Sequence, residues 1–222
     1  MKSKTISEWE KLVKSPTKEY KEYFDYEYEY LKNNLSKNIL ALDIGCGDGR
    51  TIKKLAKYTK KFIGIDNDEI AVTDSKKFLG KISNTEIILE DAENTDFKDK
   101  TFDLIFTGLT FVNFNTSREK ILKEIKRILN DEGKFIFSIY NEKALKFREK
   151  AYNKVNAKYD IINIKKSSVI LKHGNVLSEQ FTKEEIKEIL DKNGFEIEEI
   201  REGKIYYIIK CKKHNKGRIK DK

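Results

Sequence analysis

The stretch Leu40–Arg50, which reads LALDIGCGDGR, decides the fold of this chain. An apolar run ends there in three alternating glycines, Gly45, Gly47 and Gly49, and such a turn lets a ligand approach the backbone closely. Asp43 stands two residues before the first glycine. A pyrophosphate is held by backbone N–H groups at a helix N-terminus, so a carboxylate at this point would repel it. The turn therefore favours a nucleotide-like ligand that carries positive charge and lacks phosphate.

The glycine spacing also limits which nucleotide can bind. The dinucleotide fingerprint G-x-G-x-x-G needs its third glycine at position 50, which is Arg50 here. A nicotinamide-dependent dehydrogenase is therefore the weaker interpretation of this turn, and measured tight binding of NADH would be needed to revive it.

Apolar strands and amphipathic helices alternate along the chain, which is typical of βαβ units. The strands are continuous apolar runs, as expected when helices cover both faces of a parallel sheet. Strands are predicted over 38–44, 61–66, 86–90, 102–107 and 134–140, and helices over 6–14, 18–34, 51–58, 69–79 and 117–129.

The C-terminal part of the chain changes character after the fifth strand. Thr182 followed by Glu185 is a capping-box pattern, which predicts a helix that begins there and ends at Asn193-Gly194. An antiparallel hairpin of residues 195–200 with 205–211 is predicted to follow.

Residues 141–180 form an insertion, for which we predict a helix over 143–157 and a hairpin of 159–164 with 168–172. Insertions beyond the carboxyl edge of a parallel sheet are where α/β folds hold substrate contacts. The insertion is therefore expected to lie near the substrate site.

The length of 222 residues suits a single domain with a full-sized core. We predict that this domain spans residues 1–211 and includes an N-terminal helical cap at 1–36. A basic, flexible tail is predicted over 212–222.

Four motifs in order resemble those of the class I S-adenosylmethionine-dependent methyltransferases, and the resemblance covers roughly residues 38–211. Leu42–Arg50 (LDIGCGDGR) is similar to the first motif of that family, and Phe62–Asp66 (FIGID) ends the second strand in an acidic residue. Glu90–Glu93 (EDAE) resembles the adenine-contacting motif. Leu129–Lys134 (LNDEGK) resembles the turn before strand five, although the proline usual there is absent.

This resemblance implies a fold, a cofactor and a reaction. The fold would be α/β, with a seven-stranded, mostly parallel sheet whose last strand is antiparallel and with helices on both faces. The cofactor would be S-adenosyl-L-methionine, whose positive charge suits the carboxylate of Asp43. The reaction would be an in-line methyl transfer, which depends mainly on proximity and orientation.

The resemblance also implies which residues hold the cofactor. Asp66 would accept hydrogen bonds from the two ribose hydroxyls, and Asp91 from the exocyclic amine of adenine. Taken alone, Asp66 could instead cap the following helix, the glycines could merely allow a tight turn, and Asp91 is unspecific. The predicted cofactor site comprises Asp43, Gly45, Cys46, Gly47, Asp66, Asn67, Asp91, Ala92 and Thr107, with Cys46 packing as a small apolar residue.

The acceptor is harder to predict than the cofactor. Family members that methylate adenine amines or glutamine amides carry Asn/Asp-Pro-Pro-aromatic after strand four, and the only proline of this chain is Pro16. An aromatic helix face that includes Tyr23 suits a sulfonium, although its rings could simply pack on the sheet. Histidine ordinarily titrates near neutrality, which suits a general base. The predicted acceptor-binding residues are Tyr23, Thr110, Phe111 and Tyr140, and the candidate catalytic residues are Tyr140 and His173.

The net charge of +9 is concentrated at the C-terminus, where residues 210–222 carry seven Lys/Arg and one Asp. Such a tail could bind RNA or an acidic surface, but a solubilising terminus is the favoured interpretation. The leading hypothesis is therefore a small-molecule acceptor. The alternatives are an RNA or protein methyltransferase that uses the tail, and a non-catalytic scaffold, against which the intact motif residues argue.

Two cysteines and two histidines show no metal-ligand spacing, so no metal and no disulfide framework are expected. No apolar run approaches the roughly 18 residues that span a bilayer. The N-terminus lacks the apolar centre of a signal peptide. The expectation is a cytoplasmic protein with no membrane partner.

Overall fold

The glycine turn follows a strand in the middle of a twisted sheet. The computed structural model of the chain describes residues 4–163, 168–171 and 176–214. The strands of the main sheet are β1 (Leu40–Ile44), β2 (Lys61–Asp66), β3 (Thr85–Leu89), β4 (Phe102–Thr107), β5 (Leu129–Asn141), β9 (Gln180–Phe181), β10 (Phe195–Glu202) and β11 (Tyr206–Lys213), and those of a small second sheet are β6 (Tyr159–Asn163), β7 (Ser168–Leu171) and β8 (Val176–Ser178). The helices are α1 (Lys4–Lys14), α2 (Lys18–Asn33), α3 (Arg50–Leu55), α4 (Glu69–Leu79), α5 (Arg118–Ile128), α6 (Leu145–Lys154) and α7 (Lys183–Lys192).

The main sheet confirms the predicted fold class. Its strand order is β10-β11-β5-β4-β1-β2-β3, and the two-residue β9 pairs with β5 off this path. The pairs β1–β2, β2–β3, β1–β4 and β4–β5 are parallel. β11 is antiparallel to both of its neighbours, β5 and β10. The path therefore has seven strands, of which the last is antiparallel.

The direction in which the chain winds reverses at β1. From β1 the chain builds outward to β2 and β3, then crosses back to place β4 on the other side of β1. Loops that leave neighbouring strands in opposite directions leave a crevice at this switch point, which is where open α/β sheets bind ligands. The glycine turn that follows β1 lies at that crevice.

Most predicted boundaries agree with the structure to within two residues, and those of β2 and α4 agree residue for residue. The start of β5 differs. Leu129 already pairs with Phe102, and the next pair in the register is Leu104 with Lys134. The turn predicted before strand five, within Leu129–Lys134, is therefore a bulge inside a longer strand, because Leu129 and Lys134 both pair with β4.

The capping box at the start of α7 is confirmed. The backbone N–H of Glu185 donates to Oγ1 of Thr182 at 3.2 Å, and the N–H of Thr182 donates to Oε2 of Glu185 at 2.9 Å. Gly194, with φ of +77°, follows the helix end as predicted.

The insertion contains more structure than the sequence predicted. Its helix α6 is shorter than the predicted 143–157, and β6 pairs with β7 antiparallel as expected. A third strand, β8, pairs with β7 and was not predicted, because three residues carry too little periodicity to indicate a strand.

The structure describes only the first residues of the predicted C-terminal tail. β11 runs to Lys213, two residues into the predicted tail, and residues 215–222 lie outside the described part of the chain.

Across the described residues, no helix is long and apolar enough to span a membrane.

Candidate functional site

A cavity of about 470 Å³ lies at the carboxyl edge of the sheet. One side is formed by the glycine turn, the end of β2 and the loop after β4, and the other by α1, α2 and the insertion. α1 contacts α6, and Nζ of Lys154 donates to the carbonyl of Pro16 at 3.1 Å. The N-terminal helices and the insertion therefore touch each other while both line the cavity.

The glycine turn needs glycine for two separate reasons. Gly45, Gly47 and Gly49 have φ values of +71°, +54° and +74°, which other residues adopt only at a cost. A Cβ on Gly45 would overlap with Cγ2 of Thr110 and would lie 2.9 Å from its Oγ1. A Cβ on Gly47 would meet no atom within 4 Å. Gly45 thus permits close packing, whereas the backbone of Gly47 faces open space.

Asp66 orders this turn from the end of β2. Its Oδ2 accepts the N–H of Gly47 at 2.9 Å, and its Oδ1 accepts the N–H of Asp68 at 3.0 Å. Each oxygen keeps a second lone pair for a ligand hydroxyl, and the residue lines the cavity. Burial raises the pKa of Asp66 above its ordinary value.

The N-cap of α4 is Asp68 and not Asp66. Oδ1 of Asp68 accepts the N–H groups of Ile70 at 2.8 Å and Ala71 at 3.2 Å. The interpretation of Asp66 as the helix cap is therefore wrong, and its carboxylate is left to the turn and the cavity.

Two further carboxylates lie in the cavity wall without a cationic partner in direct contact. Asp43 is only 3% exposed, and in the described part of the chain its carboxylate accepts no hydrogen bond. Oε1 of Glu27 accepts hydrogen bonds from Tyr23 and from Ser138, the latter at 2.6 Å. Burial raises the pKa of Asp43 well above its ordinary value, and the neighbouring Glu27 raises it further. Burial also raises the pKa of Glu27. This pair is suited to a cationic ligand group.

Arg50 is the cation that lies nearest to this pair in the cavity wall. Its guanidinium lies 5.6 Å from the ring centroids of both Trp9 and Phe24, and its Nη1 is 3.7 Å from Oδ2 of Asp48. Its charge acts against the rise in the pKa values of Asp43 and Glu27 without cancelling it.

The unpaired carboxylates imply a pH-dependent stability. Asp43 and Glu27 hold protons more tightly in the folded protein, because burial raises their pKa values above the ordinary 3.8 and 4.5. The stability that this contributes is present below about pH 4 and is lost as pH rises through the raised pKa values. We therefore expect Asp43→Asn to raise the free energy of unfolding of the ligand-free protein by about 1–3 kcal/mol at about pH 8.

Urea unfolding across a pH series measures this effect. Asp25→Asn, at an exposed position of α2, is the matched control. It removes only an exposed ion pair with Lys21 and should change the free energy of unfolding by less than about 1 kcal/mol. Equal unfolding free energies for Asp43→Asn and the parent protein at high pH would contradict the prediction.

Tyrosines line the end of the cavity that faces the insertion. The hydroxyl of Tyr20 donates to that of Tyr140 at 2.9 Å. The hydroxyl of Tyr23 lies 2.8 Å from Oγ of Ser138. Thr110 lies between the tyrosines and the glycine turn, and its Oγ1 donates to the carbonyl of Gly45 at 3.3 Å. Burial raises the pKa of Tyr140, so its hydroxyl stays protonated.

The structure brings together most of the predicted site residues but not all of them. The cavity is lined by Asp43, Gly45, Cys46, Gly47, Asp66, Asn67, Tyr23, Thr110 and Tyr140. The cavity lining does not include Asp91, Ala92, Thr107 and Phe111.

Three of these four residues have other environments in the fold. Asp91 is exposed and accepts the N–H of Glu93 at 2.9 Å. Thr107 is fully buried. Phe111 is fully buried, with its ring stacked 4.4 Å from that of Phe137. His173 lies outside the described residues.

Several cavity residues were missed by the sequence analysis. Glu27 stands one helical turn after Tyr23 on α2, and that spacing could have indicated a shared face. Trp9 and Arg50 lie in the lining, but nothing in the sequence pairs them. Tyr152 and Ser178 come from the insertion, whose path the sequence did not predict.

Neither metal ligands nor a reactive thiol marks this site. In the described part of the chain, no group of three His, Cys, Asp or Glu side chains could hold a metal ion. Cys46 and Cys211 are buried free thiols, and burial raises the pKa of both.

Comparison with known proteins identifies the family. A protein-family model described as "Methyltransferase domain" matches residues 42–137 of the sequence. The chain is 30% identical over 183 residues to an uncharacterised protein of Methanocaldococcus jannaschii, MJ1123, covering 79% of this chain and 78% of that protein.

Two relatives with named activities match over shorter segments. Sterol 4-C-methyltransferase strm-1 of Caenorhabditis elegans is 32% identical over 47% of this chain and 32% of its own length. Demethylmenaquinone methyltransferase of Thermotoga maritima is 30% identical over 44% of this chain and 41% of its own length. Both matches therefore span less than half of the relative.

Solved structures share the fold. The PH0226 protein of Pyrococcus horikoshii superimposes with a TM-score of 0.72 at 24% identity, over 89% of this chain and 92% of that one. A SAM-dependent methyltransferase of Methanosarcina mazei has a TM-score of 0.67 at 22% identity, over 83% of this chain and 97% of that one. On its motifs, the matching methyltransferase-domain model and the 30%-identical relative, the chain belongs to the class I S-adenosylmethionine-dependent methyltransferases, and S-adenosyl-L-methionine is the cofactor of this enzyme.

Proposed function

We propose that this methyltransferase acts on a small-molecule acceptor, bound in the cavity between the sheet and the helices that cover it. The single observation that carries the proposal is the cover itself: α1, α2 and the insertion line one cavity with the glycine turn. A cavity walled on both sides suits a small molecule better than a polymer. The names of the sterol and demethylmenaquinone relatives also describe small-molecule acceptors.

The residues of the glycine turn fit the cofactor. S-adenosyl-L-methionine supplies an electrophilic methyl group on a positively charged sulfur. Asp66 would accept the ribose hydroxyls with the lone pairs that the turn leaves free. Asp43 and Glu27 would hold the cationic end. Asp43 is buried and Glu27 is half-buried, and neither carboxylate has a cation in direct contact among the described residues. The open space at Gly47 would admit the ligand close to the backbone.

Other predicted cofactor contacts lie beside the turn or outside the cavity lining. Cys46 and Asn67 line the cavity beside the turn and would pack against the ligand. The adenine role of Asp91 and Ala92 stays a prediction, as does the contribution of Thr107, because these residues are outside the cavity lining.

The acceptor would lie against Tyr23, Thr110 and Tyr140, which line the cavity beyond the glycine turn. Tyr140 would orient the acceptor and would not remove a proton from it, because burial raises the pKa of its hydroxyl. Methyl transfer gains most from such positioning, since holding the reacting atoms in line removes much of the entropic barrier.

The test is transfer of a radiolabelled methyl group from S-adenosylmethionine into a whole-cell extract, followed by size fractionation. We expect label in the small-molecule fraction. Label found only in RNA or protein would contradict the proposal and would support the alternative that uses the basic C-terminal residues.

A truncated chain tests that alternative directly. Because Lys212 and Lys213 pair with β10, the truncation should remove only residues 215–222. Turnover by this variant that equals that of the full chain would exclude a tail-dependent acceptor, whereas a large loss would support one.

A further inference from the structure

The end of the cavity nearest the insertion conceals a buried cation. Arg148 on α6 is fully buried, and its guanidinium lies 4.0 Å from the centroid of the Tyr140 ring. In the described part of the chain it pairs with no carboxylate. Its N–H groups donate to the hydroxyl of Tyr152, to the carbonyl and hydroxyl of Ser178, and to the side-chain oxygen of Gln180.

Burial of the Arg148 guanidinium costs free energy unless a negative charge compensates for it. Taking a guanidinium out of water carries a penalty of several kcal/mol, and neutral partners offset it only in part. An anionic group at the adjacent cavity wall would provide the missing negative charge.

The hydroxyls of Tyr140 and Tyr152, next to Arg148, have two protons to donate but too few acceptors among the described residues. Tyr140 accepts a hydrogen bond from Tyr20 at 2.9 Å, and Tyr152 accepts two from Arg148, at 3.2 Å from Nε and 3.0 Å from Nη2. In the described residues, no other acceptor receives the proton of either hydroxyl. The two tyrosines interact with each other, but one bond between them would use only one of the two protons.

At least one O–H donor is therefore left without a protein acceptor. Tyr140 and Tyr152 are only 2% and 5% exposed, and both line the cavity. Buried donors that lack an acceptor are rare in native proteins, so this donor is suited to an oxygen atom that enters the cavity. Beside the pair, Val155, Ala157 and Val176 give the wall an apolar surface.

Acidic side chains surround one end of the cavity, and α1 adds Glu8 and Glu10 to the lining. A buried cation lies behind the wall formed by Tyr140 and Tyr152. Asp43, Glu27 and Asp66 surround the glycine turn, where the cofactor would place its positive charge. Arg148 lies behind the opposite wall, where the cofactor would leave room for the acceptor. We propose that the methyl acceptor carries a carboxylate on a small apolar body, and that this carboxylate binds the hydroxyls of Tyr140 and Tyr152 in front of Arg148. The inference rests on the proposed function, because it specifies the acceptor of the same site.

The chain contains its own reporter for the test. Trp9 is the only tryptophan and lines the cavity, so its fluorescence should respond to ligands there. With the protein saturated by S-adenosylhomocysteine, benzoate and its neutral counterpart benzamide are titrated separately. We expect benzoate to bind at least about tenfold more tightly, because hydrogen bonds to a charged group are the stronger ones.

Substitutions test whether Arg148 and Tyr152 cause the preference for benzoate over benzamide. Arg148→Gln should reduce the ratio of benzamide to benzoate dissociation constants to less than about threefold. Tyr152→Phe should reduce the ratio about three- to tenfold and keeps the test decisive if Arg148→Gln does not fold. Tyr207→Phe is the matched control: its buried hydroxyl donates to Glu142 at 2.9 Å, away from the cavity lining, and it should leave the ratio unchanged.

The outcomes separate this inference from the proposed function. Failure of S-adenosylhomocysteine to bind would overturn both. Cofactor binding with no preference for benzoate, or with no binding of either probe, would overturn the inference alone. A preference that survives Arg148→Gln and Tyr152→Phe would also overturn it.

The cofactor has a carboxylate of its own, and a second arm excludes it as the source. 5′-Methylthioadenosine lacks the amino-acid part of S-adenosylhomocysteine. If Arg148→Gln weakens S-adenosylhomocysteine at least about fivefold and leaves methylthioadenosine unchanged, the anion is that of the cofactor, and the acceptor proposal is overturned. Equal affinities of parent and variant for both nucleosides are expected.

Discussion

Gly45→Ala is expected to lower the free energy of unfolding by about 2–5 kcal/mol. The left-handed φ of +71° costs a non-glycine residue about 1–2 kcal/mol. The new methyl group would also overlap with Cγ2 of Thr110, and overpacking of this kind costs about 1–3 kcal/mol. Urea unfolding of the ligand-free protein measures the sum.

Gly47→Ala is the matched control for this substitution. It has the same kind of backbone strain, with φ of +54°, but its methyl group would meet no atom within 4 Å. Its cost should therefore be only about 1–2 kcal/mol. Adding Thr110→Ala to Gly45→Ala should recover about 1 kcal/mol or more, because the overlapping atoms are removed. Equal losses at both glycines would contradict the assigned clash.

Asp66→Ala is expected to weaken the binding of S-adenosylhomocysteine by about 1–3 kcal/mol, or about 5- to 150-fold in the dissociation constant. The substitution removes the proposed acceptor of the ribose hydroxyls. It also frees the N–H groups of Gly47 and Asp68, which the carboxylate holds at 2.9 and 3.0 Å. Isothermal titration calorimetry gives the affinity directly.

Two controls separate binding from folding in this measurement. Asp25→Ala, on the exposed face of α2, should leave the affinity unchanged and lower the stability by less than about 1 kcal/mol, because it removes only the exposed ion pair with Lys21. Asp68→Ala removes the N-cap of α4 and should cost about 1 kcal/mol of stability with a smaller loss of affinity. Unchanged affinity in Asp66→Ala would show that the end of β2 does not hold the cofactor.

The elements that the sequence predicted well are those with local signals. β2 and α4 have an apolar run, an acidic end and a helical periodicity within about 20 residues, and their bounds were predicted without error. The capping box of Thr182 and Glu185 spans four residues, and both of its hydrogen bonds are present. Such features depend on neighbours in sequence, which a single chain displays.

The convergence of Asp43 and Asp66 was also predictable, for a topological reason. The carboxyl ends of adjacent parallel strands meet at one edge of a sheet, and β1 pairs with β2 in register. Knowledge of two parallel strands therefore places both carboxylates in one crevice without any knowledge of side-chain packing.

The acceptor side of the cavity could not be predicted in this way. Glu27 meets Ser138 across 111 positions, and Tyr20 meets Tyr140 across 120. Arg148 lies in an ordinary-looking polar helix, KFREK, where nothing indicates burial. These contacts depend on how the N-terminal helices and the insertion pack together, which no local pattern encodes.

The order of strands in the sheet has a consequence for how this protein is made. β5, whose residues Phe135–Ile139 are wholly inaccessible in the finished fold, lies between β4 and β11. Among the described strands of the sheet, β11 is the last to leave the ribosome, so this side of β5 lacks its β11 partner until Tyr206–Lys213 have been synthesised. An apolar strand with an open edge is a template for association between chains. Nascent or prematurely terminated chains that end before Tyr206 therefore expose this edge, and slow translation of the codons for β11 would prolong the exposure.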